Sequence, residues 1–191
     1  MNVENYLFNT TSQKIKFGLT RTKKVFKIIG NPEKNIFSIQ IVGTNGKGST
    51  AAILSNILKQ RYKVGLYTSP HLVSINERIQ INKKHISNKS IKEFLELFKE
   101  KIKNIEPSFF ETITALAMWY FNKEKVDVAI LETGLGGRLD SVTACQNQIL
   151  GYTNISIDHE KLLGETLEKI TKEKAGAILN KEQIIFSVKQ K

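Results

Sequence analysis

The amino-acid sequence predicts an α/β domain in which a mostly parallel sheet is covered by helices on both faces. Short apolar runs of strand length alternate along the chain with segments whose apolar residues recur at helical spacing, and this alternation is typical of parallel sheets. A glycine-rich segment, residues 43–50, also stands between a predicted strand and a predicted helix. Ligand sites of such sheets lie at the carboxyl ends of the strands.

The chain has 191 residues, enough for one domain with a sizeable core and too few for two large ones. Apolar residues make up 40% and charged residues 25%, which is usual for globular proteins. Cys145 is the only cysteine, so an internal disulfide is impossible. The polar amino terminus shows no secretory signal, and no apolar run reaches membrane-spanning length. We therefore expect a cytoplasmic protein without a membrane partner.

A net charge of +11 makes nucleic acid the first partner to consider. The lysines are spread along the chain and form neither a block nor a patch interleaved with aromatic residues. This favours a solvated, lysine-rich surface over a nucleic-acid-binding module, whose binding would be steeply salt-dependent. We expect no nucleic-acid partner, although the charge would attract small anionic substrates.

Apolar spacing predicts the elements of the first half of the chain in turn. A helical pattern ends at Gly30 and Pro32, which are common stop signals. An apolar run then leads into the glycine-rich segment, a helical pattern leads out of it, and a second apolar run follows. The predicted elements are a helix over 15–29, a strand over 36–42, a helix over 51–61 and a strand over 64–68.

Two capping boxes mark helix starts in the second half, one formed by Ser90 with Glu93 and one by Ser108 with Glu111. The helices run from these boxes to about residues 103 and 121, and the second is apolar on nearly every face, so it should be buried. We expect the last predicted strand to expose an edge. The remaining elements are strands over 126–131 and 149–153, a helix over 165–179 and a strand over 184–188.

The segment from Gly43 to Thr50 has the composition of a phosphate-binding loop. Glycines let the backbone approach an anion, the N–H groups of the following helix converge on it, and Lys47 adds a mobile positive charge. The match to the generic G-x-x-x-x-G-K-[ST] pattern is imperfect, because Ile41 stands at the first glycine position and Gly48 at the Ser/Thr position. A glycine-rich turn without a ligand is the alternative.

Polar residues near the predicted strand ends are further candidates. Glu132 directly follows a buried strand, where a charge is costly without a partner. Magnesium beside phosphates would be a natural partner, and an ordinary ion pair is the alternative. From the residues alone, Ser69 suits a turn, His159 a structural hydrogen bond, and Lys174 is one lysine among many in a basic helix.

A resemblance to a known family rests first on the glycine-rich segment, which reads Gly43-Thr44-Asn45-Gly46-Lys47-Gly48-Ser49-Thr50. It resembles the loop of folylpolyglutamate synthases and dihydrofolate synthases in the Mur ligase superfamily, and the resemblance runs from about Lys14 to the carboxyl terminus. Five further motifs follow in the family's order. They are Ser69-Pro70-His71-Leu72, Asn76-Glu77-Arg78-Ile79, Glu132-Thr133-Gly134-Leu135-Gly136-Gly137-Arg138-Leu139-Asp140, Asp158-His159 and Glu173-Lys174-Ala175-Gly176.

The resemblance implies a P-loop-containing three-layer α/β/α domain similar to the central domain of Mur ligases, with residues 43–50 binding the nucleotide. The implied cofactors are ATP, two magnesium ions and, as a further candidate, K⁺. Carbamylation would turn the ammonium of Lys174 into an oxygen ligand. The implied catalytic residues are Lys47, His159 and Lys174. The implied metal ligands are Ser69, Glu132, His159 and carbamylated Lys174.

The resemblance also implies a pocket for the pterin part of an acceptor, and aromatic faces suit a flat heterocycle. Core packing would explain the phenylalanines equally well. Residues 14–19 resemble a segment that lies against the pterin, but we expect them to form the start of the first amphipathic helix. We expect His71 to orient its loop. The family usually has Thr-Asn where this chain has Val142-Thr143, which bears on local contacts. The pocket residues are Arg78, Phe109, Phe110, Glu111, Leu139, Asp140 and Ser141.

The implied activity is an ATP-dependent ligation. The carboxylate of dihydropteroate, of a folate or of both becomes an acyl phosphate, and the amine of L-glutamate then displaces the phosphate. Full relatives add a second α/β domain, so we expect residues 1–191 to be the incomplete N-terminal ATP-binding domain of an enzyme that is monomeric at full length. The alternatives are an ATP–magnesium-binding fragment without turnover and another Mur-type amide ligase, which would need a larger domain before the loop.

Overall fold

The computed structural model describes Leu7 and residues 16–189. Within them, seven strands form one sheet in the order β4-β3-β2-β5-β1-β6-β7. The five strands from β2 to β7 in this order are parallel, whereas β3 and β4 pair antiparallel at one edge. The strands are β1 (Phe37–Val42), β2 (Val64–Tyr67), β3 (Ile79–Ile81), β4 (Lys84–His85), β5 (Val128–Glu132), β6 (Ile149–Tyr152) and β7 (Ile184–Ser187).

Helices connect the parallel strands. The same part of the chain also contains three short 3₁₀ helices, at Pro32–Asn35, Ile75–Arg78 and Ser141–Cys145. The α-helices are α1 (Thr20–Ile28), α2 (Lys47–Leu58), α3 (Asn88–Lys103), α4 (Phe109–Lys123), α5 (Glu160–Leu163) and α6 (Leu167–Ala175).

The sheet is covered on both faces, because alternate residues of its central strands are apolar on both sides. Val128 and Ile130 of β5 pack with α2 in one hydrophobic cluster. Ala129 and Leu131 pack with α1, α3 and α4 in a larger cluster on the other face. Helix α4 is buried along most of its length, as its apolar sequence predicts. The predicted three-layer α/β/α architecture with a mostly parallel sheet is therefore confirmed.

Two helix starts in the first half of the chain differ from the prediction. The helix expected over 15–29 begins only at Thr20, and the residues just before it are not helical; Gly18 has a positive φ of 115°, which a right-handed helix cannot contain. Residues 14 and 15 lie outside the described residues. Helix α2 begins at Lys47 and not at Ala51, so the second half of the glycine-rich segment forms its first turn.

The helix over 88–103 is capped by a different serine from the one predicted. Ser87 is the N-cap, and its hydroxyl accepts from the backbone N–H of Ser90 at 3.1 Å. Ser90 therefore lies inside the helix, and Glu93 forms an ion pair with Lys123. The Ser87 cap serves the same purpose, because any hydroxyl just before the first turn can satisfy its N–H groups.

The second predicted capping box, by contrast, is present. The Ser108 hydroxyl accepts from the backbone N–H of Glu111 at 3.3 Å, and the Glu111 carboxylate accepts from the backbone N–H of Ser108 at 2.7 Å. The hairpin of β3 and β4 was not predicted, because its strands are too short to show periodicity. Strand β7 is an edge strand of the sheet, as expected, and its residues are also exposed. No described helix is long and apolar enough to cross a membrane.

The corrected cap leads to a stability prediction. Replacing Ser87 by Ala should lower the free energy of unfolding by about 1 kcal/mol, because an N–H group of the first turn loses its acceptor. Ser90→Ala, three residues later on the same helix, should change it by less than about 0.5 kcal/mol. Urea unfolding followed by circular dichroism measures both variants. A larger loss for Ser90→Ala than for Ser87→Ala would contradict the assignment.

Candidate functional site

The glycine-rich segment forms a tight loop between β1 and α2, and two of its glycines are required by geometry. A Cβ atom added to Gly43 would lie 1.8 Å from the Thr153 hydroxyl oxygen, so a side chain there would collide with the strand end of β6. Gly46 has a φ of 80° and forms the N-cap of α2, a left-handed conformation that glycine adopts without strain. The loop thus presents the first turn of α2, whose N–H groups favour anions.

The loop is held by residues that follow β6, which the sequence reasoning did not identify. The Thr44 N–H donates to the Asn154 carbonyl at 2.8 Å, and the Asn45 N–H donates to the Asn154 side-chain oxygen at 2.9 Å. The Thr44 hydroxyl also bonds to the backbone of Ser156. The one available signal was the position of Asn154, a polar residue directly after a predicted strand.

Two lysines lie at this loop. The Lys47 ammonium donates to the Thr44 carbonyl at 2.9 Å, and the Lys174 ammonium donates to the Gly43 carbonyl at 2.7 Å. Lys174 projects from α6 and is 4% exposed. Burial, together with the nearby charge of Lys47, lowers the pKa of Lys174 to about 8. The structure therefore brings together two of the predicted catalytic residues, Lys47 and Lys174.

Glu132 lies beside the same loop. It ends β5, which pairs with β1, and its carboxylate accepts from the Ser69 N–H at 2.9 Å. A Cβ atom added to Gly48, in the first turn of α2, would lie 3.3 Å from a Glu132 carboxylate oxygen. Burial raises the pKa of Glu132 more than its hydrogen bond from Ser69 and the charge of Lys47 lower it.

An apolar cavity of about 320 Å³ lies next to this loop, and Ser69 is part of its wall. All seven residues predicted for the acceptor pocket line it, and they come from three separate parts of the chain. Lys16 and Phe17 line it as well, so our expectation that this segment is only the start of a helix was wrong. The predicted residues lining the cavity are Arg78, Phe109, Phe110, Glu111, Leu139, Asp140 and Ser141.

Hydrogen bonds fix one wall of the cavity. The Asp140 carboxylate accepts from the backbone N–H groups of Gly134, Leu135 and Val142 at 2.9–3.1 Å. Burial nevertheless raises the pKa of Asp140 to about 6. The Ser141 hydroxyl lies 2.6 Å from the Thr114 hydroxyl of α4.

The Val142-Thr143 departure from the family pattern lies outside the cavity wall. Both side chains are fully buried, and neither lines the cavity. The Thr143 hydroxyl donates to the Gly137 carbonyl at 2.7 Å, so the pair supports the loop behind the wall.

Helix α4 and the segment before α1 form the opposite wall. The Glu111 carboxylate is buried and lies 3.1 Å from the Arg21 guanidinium. Arg21 also donates to the Phe17 carbonyl at 3.3 Å, and the Lys16 ammonium donates to the Glu106 carbonyl at 2.8 Å. These contacts hold Phe17 against the cavity.

His159 lies at the protein surface. It forms the N-cap of α5, its side chain is 55% exposed, and its ring lies 3.7 Å from the Asp158 carboxylate. Among the described residues, no three His, Cys, Asp or Glu side chains converge on a point that could hold a metal ion. The structure thus places Ser69 and Glu132 together and His159 at the surface.

No family model matches the chain. Two curated relatives are the dihydrofolate synthetase of Saccharomyces cerevisiae, 40% identical over 181 residues, and the dihydrofolate synthase/folylpolyglutamate synthase of Bacillus subtilis, 39% identical over 184 residues. The alignments cover 91% and 92% of this chain but 42% and 43% of the relatives. The chain therefore spans about two fifths of the length of these curated relatives.

A solved structure, that of Escherichia coli FolC in complex with DHPP and ADP, has the same fold. The TM-score is 0.87 at 37% sequence identity, and the match covers 95% of this chain and 44% of that one. At this identity the likeness extends to sequence as well as to fold.

Burial of Asp140 predicts a pH dependence of stability. Because its pKa is raised from 3.8 to about 6, the folded state binds more protons than the unfolded state across this window, so its contribution to stability falls as pH rises from 4 to 6. Asp140→Asn should remove that fall, which amounts to roughly 1–3 kcal/mol at about 1.4 kcal/mol per pKa unit. Urea unfolding at pH 4, 5, 6 and 7 measures it.

The exposed Asp127, whose carboxylate accepts from the Lys63 N–H, provides a matched control. Asp127→Asn should leave the fall between pH 4 and 6 in place. An unchanged slope in Asp140→Asn would contradict the buried ionisation.

Proposed function

We propose that this chain, which belongs to the folylpolyglutamate synthase/dihydrofolate synthase family, is part of an ATP-dependent ligase. It forms the part that binds the nucleotide and the acceptor. The ligase adds L-glutamate to dihydropteroate, to a folate or to both, and residues 1–191 are its N-terminal ATP-binding domain. One observation carries the proposal. Ser69 lines the apolar cavity and also donates its backbone N–H to Glu132, which lies beside the phosphate loop.

This arrangement suits the chemistry of amide formation from a carboxylate. The acceptor carboxylate oxygen attacks the terminal phosphorus of ATP, ADP leaves, and an acyl phosphate forms. The glutamate amine then attacks the acyl carbon, inorganic phosphate leaves, and the amine proton passes to solvent. The first step needs the acceptor carboxylate next to the terminal phosphate of ATP, so a cavity and a phosphate loop that share a wall suit the reaction.

The chain's own residues would divide the work between the two sites. The first turn of α2 and the Lys47 ammonium would bind the phosphates, and Lys47 would move from the Thr44 carbonyl to do so. Phe109 and Phe110 offer aromatic faces to the heterocycle, and Asp140 keeps the wall beside it in place. Arg78 supplies a positive charge within the cavity.

The oxygen donors beside the loop fit a magnesium ion. The Glu132 carboxylate is buried, and no basic side chain of the described residues forms an ion pair with it. A carboxylate and a serine hydroxyl are hard ligands of the kind magnesium binds together with phosphate oxygens. We propose Glu132 and Ser69 as its ligands; bound magnesium would neutralise phosphate charge. A second magnesium at His159 and Lys174, and a K⁺ ion, are parts of the proposal that rest on the family resemblance.

A fragment that binds nucleotide without turnover is the second candidate. It is favoured by the exposure of β7, whose four residues are all solvent-accessible although the strand continues a parallel sheet. Parallel strands are normally covered on both faces. Such a fragment would bind ATP and the acceptor but release no ADP.

The test of the function combines binding with turnover. Magnesium should tighten binding of a non-hydrolysable ATP analogue to the wild-type chain, as measured by calorimetry, and Glu132→Gln should lose most of this gain, roughly tenfold or more, because a neutral amide is a poor magnesium ligand. The control Glu124→Gln changes a surface carboxylate that pairs with Lys63 and should keep the gain. An undiminished magnesium effect in Glu132→Gln would contradict the assignment.

Turnover then decides between the two candidates. ADP release that depends on dihydropteroate and L-glutamate, with the ligated product detected by mass spectrometry, supports the ligase. Tight binding without ADP release supports the fragment. ADP release with a nucleotide-sugar acceptor and none with dihydropteroate or a folate would instead support another Mur-type ligase.

Lys174 provides a test of the carbamylation proposal. A neutral amine attacks carbon dioxide, forms an N–C bond and loses a proton, and a pKa of about 8 makes the neutral amine accessible near neutral pH. ¹³C NMR with labelled bicarbonate should detect a carbamate that grows from pH 7 to pH 9. The signal should be absent in Lys174→Arg and present in Lys172→Arg, two positions earlier on α6. An equal signal in Lys174→Arg would reject the proposal.

A further inference from the structure

Arg78 is a nearly buried cation in the acceptor cavity. It is 9% exposed, lines the cavity, and its guanidinium carbon lies 5.4 Å from the centroid of the Phe109 ring. No carboxylate of the described residues forms an ion pair with it. A guanidinium held this way carries donors suited to an anionic ligand.

One contact fixes the orientation of this guanidinium. The Arg78 Nε–H donates to the His71 Nδ1 at 2.8 Å. Nδ1 is therefore the acceptor in this contact, and the imidazole presents it toward the arginine. The contact uses Nε of the guanidinium. The two terminal nitrogens stay available to form a bidentate pair with a carboxylate.

The loop that carries His71 is itself held in place. The Glu77 carboxylate accepts from the backbone N–H groups of Leu72, Val73 and Ser74 at 2.7–3.0 Å. The Thr68 N–H donates to the Arg78 carbonyl at 3.0 Å. Both partners of the contact therefore belong to one short, cross-linked segment, and the imidazole is placed rather than free to follow the arginine.

We propose that His71 is a positioning residue that aims the Arg78 guanidinium at the carboxylate end of the acceptor. This inference rests on the proposed function and adds to it the residue that controls recognition of the acceptor's charge. Without the imidazole, the guanidinium would be free to turn toward Glu132. The positive charge of Arg78 is already one of the effects that lower the pKa of the Glu132 carboxyl. His71 thus also keeps Glu132 from being neutralised by a permanent cation.

The experiment compares two probes that differ only in charge. Pteroic acid and its primary carboxamide are titrated by calorimetry into the wild-type chain with ADP and magnesium. The wild type should bind the acid about tenfold more tightly than the amide, since a charged hydrogen bond differs from a neutral one by about this factor. His71→Ala should reduce this preference to about twofold or less and leave amide binding nearly unchanged.

Rescue and control variants separate positioning from folding. His71→Asn places an oxygen acceptor near the position of Nδ1 and should restore most of the preference. His85→Ala changes a histidine on β4 that lines neither the cavity nor the loop and should behave as the wild type. Equal losses for acid and amide in His71→Ala would mean a merely structural role and would overturn the inference, as would a preserved tenfold preference.

The outcome also distinguishes the inference from the proposed function. A wild-type chain that binds neither probe contradicts the acceptor site itself. A wild-type chain that prefers the acid, together with a His71→Ala variant that prefers it equally, contradicts only the role of His71.

Discussion

The site depends on the position of one buried carboxylate, that of Glu132. Glu132 lies at the carboxyl end of β5, where the neighbouring β1 leads into the phosphate loop. The register that pairs Ile41 with Glu132 places it level with the end of β1. Its hydrogen bond from the Ser69 N–H ties the end of β2 to the same point. A carboxylate buried this deeply is costly without compensation, so three strand ends must be held around it with little freedom.

The rigidity needed there comes from a polar network inside the sheet. Gln40 of β1 is fully buried, and its amide donates to the hydroxyls of Thr133 and Thr143 at 2.9 Å while accepting from Asn147 at 2.9 Å. Because each of these contacts joins β1 to a segment after β5 or before β6, the network sets the path of the loop that follows Glu132. Both polar atoms of the Gln40 side chain have partners in this network, and such buried hydrogen bonds favour one arrangement.

Sequence alone predicted most of the architecture because the apolar runs of the parallel strands are short but uninterrupted, as Val128–Glu132 illustrates. It failed where local signals compete. Ser90 and Ser87 are both good N-caps, and only the structure decides between them. Lys16 and Phe17 fit the helical pattern of the residues that follow them, but Gly18 separates them from the helix. Tertiary contacts instead place both residues at the cavity. Asn154 braces the phosphate loop through contacts distant in sequence, which no local pattern encodes.

The seven predicted cavity residues converge because the motifs that carry them follow strand ends or helix starts, and parallel topology gathers those points at one edge. The same topology explains why the phosphate loop and α6 are coupled. The Lys174 ammonium of α6 is buried against the Gly43 carbonyl and close to Lys47, so two like charges oppose each other there. An anion bound in the loop would offset that repulsion and so would stabilise the docking of α6. By linkage, conditions that hold α6 in place must raise the affinity of the loop for the anion by the same factor.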